Sequence, residues 1–201
     1  RKIMVFLHSN GVSTSRAVRI YKTYGEEAIE KVQNNPYILA RDIRGIGFKS
    51  ADHIAQKLGI PQDSLHRAQA GLNHVLTEAS GNGHCGLPED LLIRQTTELL
   101  AVDESIPRNA LAQALHAGDV VRDAVGEHDL IFLPALKKAE EYIARRILDL
   151  SGQPSSYPDI DFNRAITWVQ ESNKLQLAAS QTEAIRCALE NRVVIITGGP
   201  G

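Results

Sequence analysis

Two stretches of this chain have residue types and spacing suited to holding phosphate. The first is Ile43-Arg44-Gly45-Ile46-Gly47-Phe48-Lys49-Ser50. Glycines one residue apart let a turn adopt backbone angles that other residues resist, and their bare backbone N–H groups can approach an oxyanion closely. A helix that starts just after the turn adds unpaired donors and a partial positive charge. Lys49 adds a full charge and Ser50 a hydroxyl. Contacts of this kind position a nucleic-acid backbone and read no sequence. The second stretch is Gly198-Gly199-Pro200-Gly201, directly after the apolar run Val193-Val194-Ile195-Ile196-Thr197. The run is expected to be a buried parallel strand. A glycine-rich turn at its end presents successive amides to a phosphate.

Stepping along from that strand, the matching loop pattern is GxxxxGK[ST], of which the chain holds the first four positions. The Lys that would reach the outer phosphates and the Ser or Thr that would hold magnesium are expected beyond residue 201. A helix from Ser180-Gln181-Thr182-Glu183 to about Leu189 precedes the strand, with Ser180 and Glu183 at capping-box spacing. The chain opens on Arg1 rather than Met, so residues before it are expected as well.

Other chemistry has little to work with. His74, His84 and Cys85 lack a fourth ligand at zinc spacing, so no metal site is expected. No Ser-His-Asp set or paired carboxylates stand out, and Glu140-Glu141 read as a helix surface, so no catalytic residue is assigned in this chain. Cys85 and Cys187 lie far apart without CxxC spacing, which points to a reduced, cytoplasmic setting. No apolar run approaches the ~20 residues of a membrane-spanning helix. Residues 1–60 hold ten Lys or Arg and five acids, a net +5, whereas the rest carries −7. A basic module on an acidic body finds phosphate by steering and counterion release.

The basic module is repeated. A shift of 34 residues aligns Gly11 with Gly45, Val12 with Ile46, Ala17 with Ala51, Ile20 with Ile54 and Gly25 with Gly59. Periods of this size mark stacked helical units. Each copy reads as a short Gly-containing turn followed by a helix ending at Gly, and in the second copy a helix precedes the turn. In the second copy Asn35-Pro36 opens the first helix and Gly59 caps the last. In the first copy Ser13 stands where the second Gly would be, in Asn10-Gly11-Val12-Ser13-Thr14-Ser15-Arg16. The candidate phosphate contacts are Gly11, Val12, Ser13 and Arg16 in the first copy, and Gly45, Ile46, Gly47, Lys49 and Ser50 in the second.

The periodicity then predicts helices over Leu65–Ala79, Pro88–Leu100 and about Pro107–Ala117, and a hairpin of Val120–Ala124 with Asp129–Leu133. A helix over Pro134–Leu150 follows. Three helices and a two-stranded wing suggest a winged-helix fold. Its second helix has Arg108 and His116 but few donors for base edges, so packing or protein contact is the expected role. Gly152-Gln153-Pro154-Ser155-Ser156-Tyr157-Pro158 reads as a linker. The expected organisation is residues 1–60, 61–151 and 152–201.

Helix, Gly-x-Gly turn, helix resembles the helix-hairpin-helix motif, and the doubled form its tandem version. Gln181 at a helix start, followed by VVIITGGPG, resembles the adenine-contacting Gln motif and first ATP motif of superfamily 1 helicases. With Phe6-Leu7-His8-Ser9-Asn10-Gly11-Val12-Ser13, Arg19-Ile20-Tyr21-Lys22-Thr23-Tyr24-Gly25 and Asn35-Pro36-Tyr37, nearly the whole chain resembles the RecD/TraA-type DNA helicases, in the longer bacterial form with extra N-terminal domains. The resemblance implies a mainly α chain: a tandem helix-hairpin-helix domain, a winged-helix-like domain, then the first helix and strand of a P-loop α/β motor. It implies ATP and Mg2+ as cofactors of the intact protein and movement 5′ to 3′ on DNA in repair or recombination. Its partners would be single-stranded or junction DNA without sequence preference, and nuclease or helicase subunits. Gln181 would contact adenine, and Gly198, Gly199, Pro200 and Gly201 would begin the phosphate cradle. With the remaining motor motifs beyond residue 201, this chain alone would lack ATPase activity. The alternative is a non-enzymatic adaptor that holds branched DNA or a protein partner through its hairpins.

Overall fold

In the computed structural model, which describes residues 1–198, the 34-residue sequence period is also a period of backbone. The first copy is α1 (Lys2–Ser9), a turn and α2 (Thr14–Tyr24), and the second is α4 (Ile38–Asp42), a turn and α5 (Phe48–Lys57). Gly11 and Gly45 have φ of +83° and +88°, in the left-handed region that a Cβ disfavours. The buried positions repeat as well: Val12 with Ile46, Ala17 with Ala51, Ile20 with Ile54. A 3-10 turn, Gly25–Glu27, and α3 (Ala28–Asn34) join the copies. Pro36 does not open the next helix. The Asn35 Oδ1 accepts the Tyr37 N–H at 3.1 Å, and this local turn delays the helix to Ile38.

Helix α6 (Leu65–Gly81) starts where Ser64 Oγ accepts the Arg67 N–H. It buries Ala68, Gly71, Leu72, Val75, Leu76 and Ala79, a stripe at helical spacing. Strand β1 (Gly86–Pro88), α7 (Glu89–Leu100), α8 (Ser105–Ala117), β2 (Val121–Val125) and β3 (His128–Phe132) follow. The strands form one antiparallel sheet in the order β1-β3-β2. β1 was not foreseen. Its three residues are too few to show an alternating pattern, and Pro88 both ends this strand and caps the following helix, which starts at Glu89 rather than at Pro88. The β2–β3 turn is tighter than expected, because His128 pairs with Val125 and leaves only Gly126 and Glu127 as loop.

One apolar core runs from Ile3 to Ile131 through both the hairpins and the helices that follow. Arg1–Lys137 is accordingly one compact unit. A buried polar cluster lies where α5 meets α6. The Arg67 guanidinium donates to Asp52 at 2.8 and 3.2 Å, and to the carbonyls of Gln62 and Leu100 at 2.9 Å each. Tyr37 donates to Asp52 at 2.7 Å. Burial alone would raise the Asp52 carboxyl, but the bonds from Arg67 and Tyr37 and the Arg67 charge hold it below its ordinary value.

The second compact unit begins at Lys138. It contains most of α9 (Pro134–Ser151), then α10 (Phe162–Asn173) and α11 (Ala179–Glu190). Asp161 caps α10 by accepting the Arg164 N–H at 3.1 Å. Arg186 of α11 sits over the Phe162 ring of α10 at 4.1 Å. The expected linker is tied to the end of α11: Ser155 Oγ donates to the Leu189 carbonyl, and Arg192 donates to that of Pro154.

Two local expectations change here. The start of α11 is not capped by Ser180 and Glu183. Ala178 is its N-cap, and Gln181 Oε1 accepts the Ala178 N–H at 2.9 Å. Residues 193–197 form no strand, and Ile195 and Ile196 are 86% and 67% exposed. A strand is made by its neighbours, and no described segment pairs with this one.

Candidate nucleic-acid interface

The two hairpins pack against each other, each turn facing the second helix of the other copy. A Cβ built on Gly11 would lie 3.6 Å from the His53 ring and 3.0 Å from Lys57 Nζ. A Cβ on Gly45 would lie 3.1 Å from Arg19 Nη1. Arg19 and His53 are themselves repeat mates, 34 residues apart. Each turn glycine thus meets the second helix of the other copy, and Arg19 anchors the second turn by donating to the Arg44 carbonyl at 2.6 Å.

A cleft of about 240 Å³ lies between the copies. It is lined by Gly11, Val12 and Arg16 from the first copy and by Ile46, Lys49, Ser50, His53 and Ile54 from the second. No carboxylate lines it. Arg16 and Lys49, with Lys57 beside Gly11, form no ion pair among the described residues. Unpaired cations around a cleft without acids create a positive field suited to an anionic chain.

Six of the nine sequence candidates line this cleft, and three do not. Val12 and Ile46 form its floor with buried side chains. Ser13 lies just outside, in the extended conformation that precedes α2, and Gly45 is under Arg19. Gly47 lines a different groove. His53 and Lys57 were missed. The signal for His53 was the repeat itself, which pairs it with Arg19.

The N–H groups left without a protein acceptor lie at the helix starts rather than in the turns. The N–H groups of Gly11, Val12 and Ile46 are spent on the carbonyls of His8, Leu7 and Ile43, each at 3.0 Å. Those of Thr14, Ser15 and Arg16, and of Gly47, Phe48 and Lys49, have no protein acceptor among the described residues. These are the orphan donors at the N-termini of α2 and α5. Gly47 has an ordinary φ of −94°, and Ser13, its mate, has −66°. The second glycine is therefore not demanded by the turn. A Cβ there would meet nothing within 4 Å, so its effect is to leave the surface open at the start of α5.

Of the nucleotide-binding candidates, Gln181 is exposed at the start of α11 with its carboxamide oxygen committed to Ala178. Its NH2 group is left for an acceptor. A Cβ built on Gly198 would meet nothing within 4 Å. Gly199, Pro200 and Gly201 lie outside the described residues. Among the described residues no three His, Cys, Asp or Glu side chains gather as a metal site. Nor is any helix among them long and apolar enough to cross a membrane.

Comparison with known proteins agrees with the hairpin geometry. Residues 1–86 match the family model of the ATP-dependent RecD2 DNA helicase HHH domain. The chain is also 26% identical over 213 aligned residues to an ATP-dependent RecD2 DNA helicase of Deinococcus radiodurans, an alignment covering 100% of this chain and 29% of that protein. The chain spans less than a third of the length of this relative. It is similar along its whole length to a RecD-like helicase, and its first 86 residues are similar to the helix-hairpin-helix domain of that kind.

Proposed function

We propose, from this kinship with the RecD-like helicases, that the chain is the N-terminal DNA-binding and regulatory part of an ATP-dependent DNA helicase. The observation that carries the reading is the acid-free cleft where Arg16 of one hairpin and Lys49 and Ser50 of the other converge. DNA is held there through its phosphates, by the orphan N–H groups of α2 and α5 and by these side chains, without base reading.

The finer features follow from the same reading. The functional modules are residues 1–60, the tandem hairpins; 61–151, a winged-helix-like part; and 152–201, a linker and the start of a P-loop motor. The winged-helix reading is supported by three helices followed by a hairpin in a three-stranded antiparallel sheet. Its β2–β3 hairpin carries Asp123 on the edge strand and Asp129 on the central one, which suits packing rather than a base-reading role. The motor would bind ATP with Mg2+ and move 5′ to 3′ on DNA in repair or recombination, in the cytoplasm, alone or with nuclease subunits. ATP supplies the free energy for that movement. On this chain Gln181 would offer its free NH2 to an acceptor on adenine, and Gly198 to Gly201 would begin the cradle for the phosphates.

The test is a titration of labelled DNA with the 201-residue chain across a salt series. Lys49→Ala combined with Gly47→Asp is expected to weaken binding about tenfold. It should also reduce the slope of log affinity against log salt by about 1, as one phosphate contact is lost. Unchanged affinity and slope would make the hairpin a packing element and refute the reading.

A further inference from the structure

A second groove, of about 450 Å³, flanks the second hairpin and shares no lining residue with the basic cleft. Its size falls in the range of about 300–1,000 Å³ typical of ligand clefts. One wall is α4 with the turn at Gly47 and Phe48. The other is a single stripe of α6, from His66 through Gln69 and Asn73 to Thr77, about 16 Å long at the helical rise.

The stripe carries amides and imidazoles and no acid. Among the described residues the Gln69 carboxamide and the His66 imidazole have no hydrogen-bond partner, and Asn73 uses only its NH2 group, on the Gln69 carbonyl at 3.2 Å. At the base, Tyr37, Phe48 and His74 form a stack of rings, with centroids 6.1 and 5.2 Å apart and planes within 20°. Tyr37 and Phe48 are buried, and His74 is the half-buried end of the stack.

An anion is poorly served here. Arg41 is held by Asp42 at 2.6 and 3.1 Å, and Asp119 also lines the groove. A neutral planar ring with donors and acceptors on its edge is well served. Carboxamides match such edges, and an imidazole offers a face to stack on. The groove also adjoins the proposed phosphate site: Gly47 and Phe48 line the groove, and the next two residues, Lys49 and Ser50, line the cleft. Bases in a duplex are paired and stacked and cannot enter. A single strand can turn one in.

We infer that this groove takes an unpaired nucleobase of a DNA strand whose phosphate is held at the Gly47–Ser50 turn. The inference rests on the hairpin reading given above. It assigns the hairpin module a preference for single strands that phosphate contacts alone do not provide.

Three probes of equal length separate the contributions: an oligothymidylate, the same backbone made of abasic residues, and a blunt duplex. Gln69→Ala combined with Asn73→Ala changes two half-buried positions to a strong helix former, so the chain is expected to fold. This variant is expected to weaken the oligothymidylate about tenfold and to leave the abasic strand and the duplex within about twofold. No change with any probe, or an equal loss with all three, would overturn the inference. Lys49→Ala tests the hairpin reading separately and is expected to weaken all three probes. If Lys49→Ala changes none of them, the phosphate is not at this turn, and that reading fails.

Discussion

Gly45 and Gly47 are one residue apart and do different things. Gly45 has a φ of +88° with Arg19 pressed against it, so its lack of a side chain is required by the folded turn. Gly45→Ala is expected to destabilise the first unit by about 1–2 kcal/mol in urea unfolding, the cost of placing a Cβ in the left-handed region. Gly47 has an ordinary φ, open space around it and a serine as repeat mate. Gly47→Ser is expected to stay within about 0.5 kcal/mol of the parent chain in the same measurement. Equal losses at the two positions would show that both serve the turn. In the sequence the two glycines are indistinguishable, because residue type does not report φ.

The connection between α5 and α6 depends on one buried ion pair more than on any other polar contact. Arg67→Met would leave the Asp52 carboxylate buried with only Tyr37 and Gln56 as donors. Removing one partner of a buried pair costs about 3–5 kcal/mol, so the melting temperature of the first unit should fall by roughly 10 °C or more. A loss under about 1 kcal/mol would show that water replaces the guanidinium. The pair also sets a pH dependence. Asp52 has a folded pKa below its ordinary 3.8. Its contribution is therefore fully present above that value and is lost as pH falls through the lower folded value. In Asp52→Asn this part of the acid loss should be absent from a pH series of melting curves. None of this was legible beforehand, since Asp52 and Arg67 lie 15 residues apart and read as ordinary charges on helix faces.

At the scale of the whole chain, the first unit has a continuous core and the second has no fully buried side chain among its described residues. The 201-residue chain is expected to release no phosphate from ATP above background, with or without DNA, because it contains neither the Lys nor the Ser or Thr that completes the loop pattern. DNA-stimulated phosphate release by the purified chain would refute this. Residues 193–197 illustrate a limit of pattern reading at this scale. Their apolar run reads as a strand, yet they have no described strand partner and leave Ile195 and Ile196 in water.

Local physics was enough for the repeat, the presence of glycines in its turns, helices α6 to α8 and the basic character of the hairpins. Each depends on spacing within about one or two helical turns, or on a period the chain displays directly. Tertiary structure alone decided which candidates meet. It brought Arg16 to Lys49 across one cleft, set His53 and Arg19 on opposite turn glycines, and moved Gly47 to a separate groove. It also committed the turn N–H groups to nearby carbonyls and left those at the helix starts free. The reason is that composition and period state what each residue can offer, while proximity between distant residues is settled only when the helices share a core.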